Sequence, residues 1–328
     1  MDNSTLDKIK SFISKFLDFI PSPGSQEEDT NSLVIQAVKK QDIKSLKMLV
    51  SKGSISFDLP DNIGSTPIFY AIETQNIEII KFFIRQKAEI NHANIAGNTA
   101  IFYAALTNNI EIIQLIIDAG AIPTISNDLG QNLIHHCVSN NKNNSLNYFL
   151  DNDQINIDQQ DSFGKTPLSL AAEQGSVFMA KQLLNKKAKL NTADIDGWTP
   201  LMHAASKNAN DVLDLLIVNG AELECFDNQF NQTALHIAAR AQNIYGIELL
   251  TKHGVNINHL DYYNRTALHI AVETHNFDIV QALLNIGVDV FAKDKFGLTA
   301  REWAVVNSTA DILRVIIQAE KKYISEHK

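Results

Sequence analysis

Cysteine is scarce. Cys137 and Cys225 are the only two in 328 residues, and they stand far apart in the chain. A disulfide framework is excluded, and a reducing compartment fits. Positive charge is also short: 28 Lys and Arg stand against 37 Asp and Glu, for a formal net charge of −9. General nucleic-acid binding would call for a basic stripe, so no nucleic-acid partner is expected. No apolar run is long enough to span a bilayer, and no secretory signal is read at the start. The short catalytic signatures H-E-x-x-H and G-x-S-x-G and the glycine-rich dinucleotide loop are missing too. Gly164-Lys165-Thr166 imitates the end of a P-loop, but the upstream Gly is absent and no predicted strand precedes it. His135-His136-Cys137 offers metal-binding residue types, yet three consecutive helical residues point in three directions, a poor tetrahedral set. No catalytic, cofactor or metal residue is read, and the chain is expected not to be an enzyme.

What is present is a repeated unit. Residues 161–191, DSFGKTPLSLAAEQGSVFMAKQLLNKKAKLN, show it in full. Gly164 permits a tight turn at positive φ. Thr166-Pro167 then opens a helix, because Thr caps well and Pro is tolerated at the first helical position. Leu168, Ala171 and Ala172 mark the inner face of that helix, Gly175 ends it, and Val177 to Leu184 carries apolar residues at helical spacing. A helix pair this short cannot bury its faces alone and needs copies on both sides.

The copies are in the sequence. The capping position recurs at Thr66, Thr99, Asn132, Thr166, Thr199, Thr233, Thr266 and Thr299, with gaps of 33 or 34 residues. A degenerate earlier copy begins near Ser32. Thr199-Pro200-Leu201-Met202-His203-Ala204-Ala205, Thr233-Ala234-Leu235-His236-Ile237-Ala238 and Thr266-Ala267-Leu268-His269-Ile270-Ala271 carry the clearest motif. This period and these residues resemble the ankyrin repeat, a turn followed by T-P-L-H-x-A. The resemblance covers about residues 31–320 and implies an all-α solenoid of stacked helix-turn-helix units with protruding turns or β-hairpins. About nine units at 8–10 Å each predict a curved rod on the order of 80–90 Å long.

Three segments follow from this: an amphipathic helix in residues 1–20, a flexible linker in 21–30, and the repeat domain in 31–328. In the first, Phe12, Ile13, Phe16, Leu17 and Ile20 fall on the apolar arc of a helical wheel. They would cover the exposed end of the first repeat, insert into a partner groove or dock on a membrane surface. Within the repeats, Phe69 and Phe102 replace the usual His and should fill the same inner space. The fourth unit is irregular: Asn132 replaces Thr, Asn143-Asn144-Ser145 replaces apolar residues, and one residue is inserted before Asp161. A locally soft interface is expected there, unless a longer turn compensates. Asn231 and Asn264 take the turn Gly's place, and Asn tolerates left-handed backbone. His236 and His269 are expected to be structural, hydrogen-bonding across the turn behind the Thr cap.

In ankyrin proteins the partner surface is usually concave, built from turn tips and the exposed face of each first helix. Carried onto this chain, the tips give Phe163, Phe230, Tyr263 and Phe296, with Trp198 after the glycine. The first-helix position gives Tyr70, Tyr103, His136, His203 and Trp303. Aromatic residues dominate interface hot spots. The expected function is a monomeric, non-enzymatic scaffold or adaptor binding a protein or peptide without a cofactor. Acidic neighbours such as Glu73, Asp196 and Glu273 would favour a basic partner. The alternative is a membrane-associated tether docking through the N-terminal helix. The resemblance suits a cytoplasmic protein, or one that an intracellular bacterium delivers into host cytosol; the abundance of Asn, Ile and Lys points to an AT-rich genome.

Overall fold

The structure, a computed structural model, describes residues 26–51, 56–307 and 309–326. The apolar arc from Phe12 to Ile20 lies outside the described residues. Within them the protein is all-helical, with eighteen α-helices and no strand. Two isolated antiparallel bridges, Phe226 with Thr233 and Lys293 with Thr299, are the only ladder contacts there. The connections expected as turns or hairpins are therefore turns. No helix among the described residues is long and apolar enough to cross a membrane.

The chain divides into two compact units, residues 1–162 and 163–328. The first holds α1 (Gln26–Lys39), α2 (Ile43–Ser51), α3 (Pro67–Glu73), α4 (Ile77–Arg85), α5 (Ala100–Thr107), α6 (Ile110–Asp118), α7 (Leu133–Ser139) and α8 (Asn143–Leu150). The second holds α9 (Pro167–Gln174), α10 (Val177–Asn185), α11 (Pro200–Ser206), α12 (Asn210–Val218), α13 (Ala234–Arg240), α14 (Ile244–Lys252), α15 (Ala267–Glu273), α16 (Phe277–Asn285), α17 (Ala300–Val306) and α18 (Ala310–Glu326). In the first unit α1, α3, α5 and α7 stack in sequence; in the second, α9, α11, α13, α15 and α17 do, with α10, α12, α14, α16 and α18 forming a second row. The stack of first helices closes up because its inner positions are small: Ala104, Ala105, Ala171, Ala172, Ala204, Ala205, Ala238 and Ala239 are all fully buried. Phe69 and Phe102 fill inner space as expected, both buried.

Thr or Asn stands at the N-cap of every first helix from α3 to α17. Pro67, Pro167 and Pro200 occupy first-turn positions behind Thr66, Thr166 and Thr199. Asn76, Asn109, Ser176 and Asn276 cap second helices by accepting their first N–H groups. Gly175 ends α9 in the left-handed region at φ 69°. The first helix corrects one expectation. It begins at Gln26, so the last five residues of the expected linker are helical; acidic residue types such as Glu27, Glu28 and Asp29 suit a first helical turn.

The polar substitutions of the fourth repeat find partners, although the buried Nε2 of His136 has none among the described residues. Asn132 accepts the N–H groups of Ile134 and His135, both at 3.1 Å, and its amide donates to the Asn156 carbonyl at 2.8 Å. Ser145 is buried and donates to the Ala105 carbonyl at 2.7 Å, while the N–H groups of Asn144 and Ser145 reach the Asn108 side chain. Gln159 bridges Ser126 and the Gly130 carbonyl, each at 2.7 Å. Polar residues that read as defects are thus hydrogen-bonded to the preceding repeat.

Candidate partner-binding surface

The turn tips are built by one residue type, Asp or Asn, at the start of each turn. Its Oδ1 accepts two backbone N–H groups further round the turn: Ile63 and Ser65 on Asp61, Ala96 and Asn98 on Asn94, Asp196 and Trp198 on Asp194, Tyr263 and Arg265 on Asp261. Successive tips are then joined backbone to backbone. In the first unit the N–H groups of Ile95, Asp128 and Ser162 donate to the carbonyls of Ile63, Ala96 and Leu129. In the second, those of Ile195, Asn228, Tyr262 and Lys295 donate to Phe163, Asp196, Phe230 and Tyr263. The approach is close: a Cβ on Gly164, whose φ is +74°, would sit 2.7 Å from the Ile195 nitrogen. Asn231 and Asn264 hold the same left-handed geometry at φ 56° and 57°.

The first-helix candidates turn out to be tied to these turns. Tyr70 donates its hydroxyl to Asp61, and burial, with that bond, pushes its pKa up. Tyr103 accepts from the Asn94 amide at 3.0 Å and packs on Phe69, ring centroids 4.7 Å apart. His203 bonds Asp194 at 2.8 Å, and the Trp303 indole N–H donates to Asp294 at 2.9 Å. In all four the partner lies nine residues upstream. His203 was expected to be exposed and is instead 5% exposed, because a carboxylate draws the imidazole inward. His136 packs edge-on against Phe102 at 5.2 Å, and burial lowers its pKa to about 4. Its neighbours are accounted for locally: His135 pairs with the Asn132 cap, and burial raises the Cys137 thiol. His236 and His269 hydrogen-bond Thr233 and Thr266 and reach forward to the Arg265 and Leu298 carbonyls, as expected of structural histidines.

The tip candidates are more open. Phe163, Phe230 and Phe296 are exposed, Phe296 at 77%, while Trp198 and Tyr263 are half-buried. In the second unit Trp198 and Phe230 line a depression of about 600 Å³ whose other walls are Asp227, Gln229, Ile237, Arg240, Arg265 and Glu273. Tyr263 lies beside it, 6.3 Å from the Phe230 ring, with the Arg265 guanidinium 5.1 Å from its own ring. Arg265 joins Asp261 at 2.9 Å and Glu273 at 3.1 Å. Burial raises the Asp261 pKa, but the Arg265 backbone and side-chain bonds outweigh it and leave the net shift downward.

Two of the acidic neighbours expected to favour a basic partner already have contacts of their own. Glu273 is ion-paired, and Asp196 accepts from Gln229 at 3.3 Å. Sequence reasoning also passed over Asp227, Ile237 and Arg265. The nine-residue interval from turn Asp or Asn to Tyr, His or Trp was the available signal. It marks Tyr70, Tyr103, His203 and Trp303 as residues that brace the turn, but not His136, nine residues after Asn127, whose Nε2 has no partner among the described residues.

Comparison with known families gives one result. The model described as ankyrin repeats, three copies, matches residues 3–94, 34–127, 75–161, 134–227 and 211–294. The helix pair from Ala300 onward continues the same architecture beyond these matches. No curated protein matches the chain. Ankyrin repeats are general protein–protein interaction modules and typically not enzymes. With the turn ladder, the stacked helix pairs and the family match in agreement, the chain belongs to the ankyrin-repeat family.

Proposed function

We propose that this protein is a non-enzymatic scaffold or adaptor that binds a protein or peptide partner through the depression of its second unit. The observation that carries the reading is the depression itself: about 600 Å³, open, with Trp198 and the exposed ring of Phe230 on its walls. Trp198 rests on the His203 ring at 5.4 Å and Phe230 stands 6.3 Å from Tyr263, yet neither ring hydrogen-bonds a turn as Tyr70, Tyr103, His203 and Trp303 do. Large rigid aromatics in a concave, partly desolvated setting are what hot spots are made of. We place the protein in the cytosol, host cytosol if a bacterium delivers it; the unpaired thiols of Cys137 and Cys225 support a reducing setting.

The test uses peptides selected from a random display library against the full chain, with affinity read by calorimetry. Trp198→Ala and Phe230→Ala should each weaken binding about tenfold or more, with the helical circular-dichroism signal and melting temperature held. Binding that survives both substitutions would remove this surface from the function.

A further inference from the structure

The turn carboxylates follow a rule with one exception. At Asp61, Asp194, Asp261 and Asp294 Oδ1 closes the turn, and there and at Asp161 Oδ2 is taken by a side chain: Tyr70 on Asp61, Gln131 on Asp161, His203 on Asp194, Arg265 on Asp261 and Trp303 on Asp294. Asp227 breaks the rule. Its Oδ1 accepts the N–H groups of Gln229 at 3.1 Å and Phe230 at 2.6 Å, but its Oδ2 accepts nothing from any described residue. The cause is legible in the sequence. Ile237 stands at the position of Tyr70, Tyr103, His203 and Trp303 and has no donor; Leu170 and Ile270 are apolar there too, but Asp161 and Asp261 have Gln131 and Arg265 as donors instead. Gln232, which stands where the next repeat has Arg265, turns its amide toward Asp261 at 3.4 Å. Asp227 is nonetheless only 5% exposed, and it lines the depression with Trp198 and Phe230. Its Oδ2 is not sealed from solvent and can take a donor that enters the depression, as a charge-assisted hydrogen bond.

The neighbouring repeat shows what such a donor looks like. There the Arg265 guanidinium bonds Asp261 and lies over the Tyr263 ring. In the Asp227 repeat the carboxylate and the tip ring, Phe230, are in place and the guanidinium is missing. We propose that Asp227 receives the arginine side chain of a bound peptide, entering beside Trp198 and Phe230. A planar guanidinium stacks on an aromatic face while donating in its own plane, which a lysine ammonium does not do. Charge on the walls permits it. Arg265 is neutralised by Asp261 and Glu273, and Arg240 is exposed at the rim. The inference rests on the depression being the partner site and adds the chemistry of the residue that fills it.

The same selected peptides test it. Arginine should be enriched at one position. Asp227→Asn should weaken the best peptide at least about tenfold, and so should replacing its arginine by citrulline, which keeps the shape and removes the charge. Combining the two changes should lose no more than either alone. Asp227→Asn is expected to fold, because Asn94 and Asn127 close their own turns through the same oxygen; the melting temperature checks this. Peptides that need Trp198 but ignore both Asp227→Asn and citrulline would overturn the arginine assignment and keep the depression as the site. Selected peptides that ignore Trp198 and Phe230 as well would overturn both.

Discussion

At Thr66, Thr99, Thr233 and Thr266 the residue three places after the cap separates a partnered hydroxyl from an unpartnered one. Thr233 and Thr266 face His236 and His269 and hydrogen-bond their Nδ1 through both the backbone N–H and the hydroxyl. Thr66 and Thr99 face Phe69 and Phe102, and their hydroxyls are buried with no hydrogen bond. The same substitution therefore has opposite consequences. Thr233→Val should lower stability by about 1 kcal/mol, the usual value of a cap. Thr66→Val should leave stability unchanged or raise it, because it removes an unsatisfied polar atom. Chemical denaturation of the two variants checks this; equal losses would mean that the hydroxyl of Thr66 has a partner after all. The capping pattern was readable from Thr, Pro and His spacing. The inward pull on His203 and Trp303 was not, because it depends on a carboxylate nine residues away meeting them across a turn.

At the scale of the element, the turn tip is the part with least freedom. Gly164 combines a φ of +74° with the Ile195 nitrogen 2.7 Å from a would-be Cβ, whereas Gly297, at φ +79°, has nothing within 4 Å. Gly297→Ala should lose only the left-handed backbone preference, on the order of 1–2 kcal/mol. Gly164→Ala should lose more, since the adjoining turn must also move and its backbone bond to Phe163 weakens. Thermal melts of the two variants should rank in that order; a reversal would show that turn contact is not what limits the position. The helices themselves were legible from apolar period and caps: the second helix expected over Val177 to Leu184 runs Val177–Asn185. The fourth repeat was harder to read. Ser145 and Asn144 look like losses in a single repeat, and become hydrogen-bonding residues only once Ala105 and Asn108 of the preceding repeat are beside them.

For the whole molecule, buried histidine sets a limit on acid tolerance. His136 and His236 have pKa values near 4, and His269 is lowered as well, in each case mainly through burial. Above the unfolded value of about 6.5 both states are neutral there. Between that value and about 4 only the unfolded chain takes up the proton, so stability falls as pH falls across this window and the loss is complete near its lower end. A shift of the size at His236 corresponds to roughly 3 kcal/mol. Melting temperature should drop from pH 7 to pH 4.5, and His236→Gln should flatten that dependence while lowering stability at pH 7. An unchanged slope would assign the acid sensitivity elsewhere. The fold and its family were legible because eight caps in phase leave little room for another reading. The binding depression was not, because it depends on which aromatic rings the turns have already claimed.

The ladder joining successive tips has a direction. In every bond the N–H belongs to the later repeat and the carbonyl to the earlier one: Ile95 to Ile63, Asn228 to Asp196, Lys295 to Tyr263. A chain emerging from a ribosome makes its N-terminal part first. Each new turn therefore finds the acceptor of its ladder bond already synthesised and already held by the turn before it.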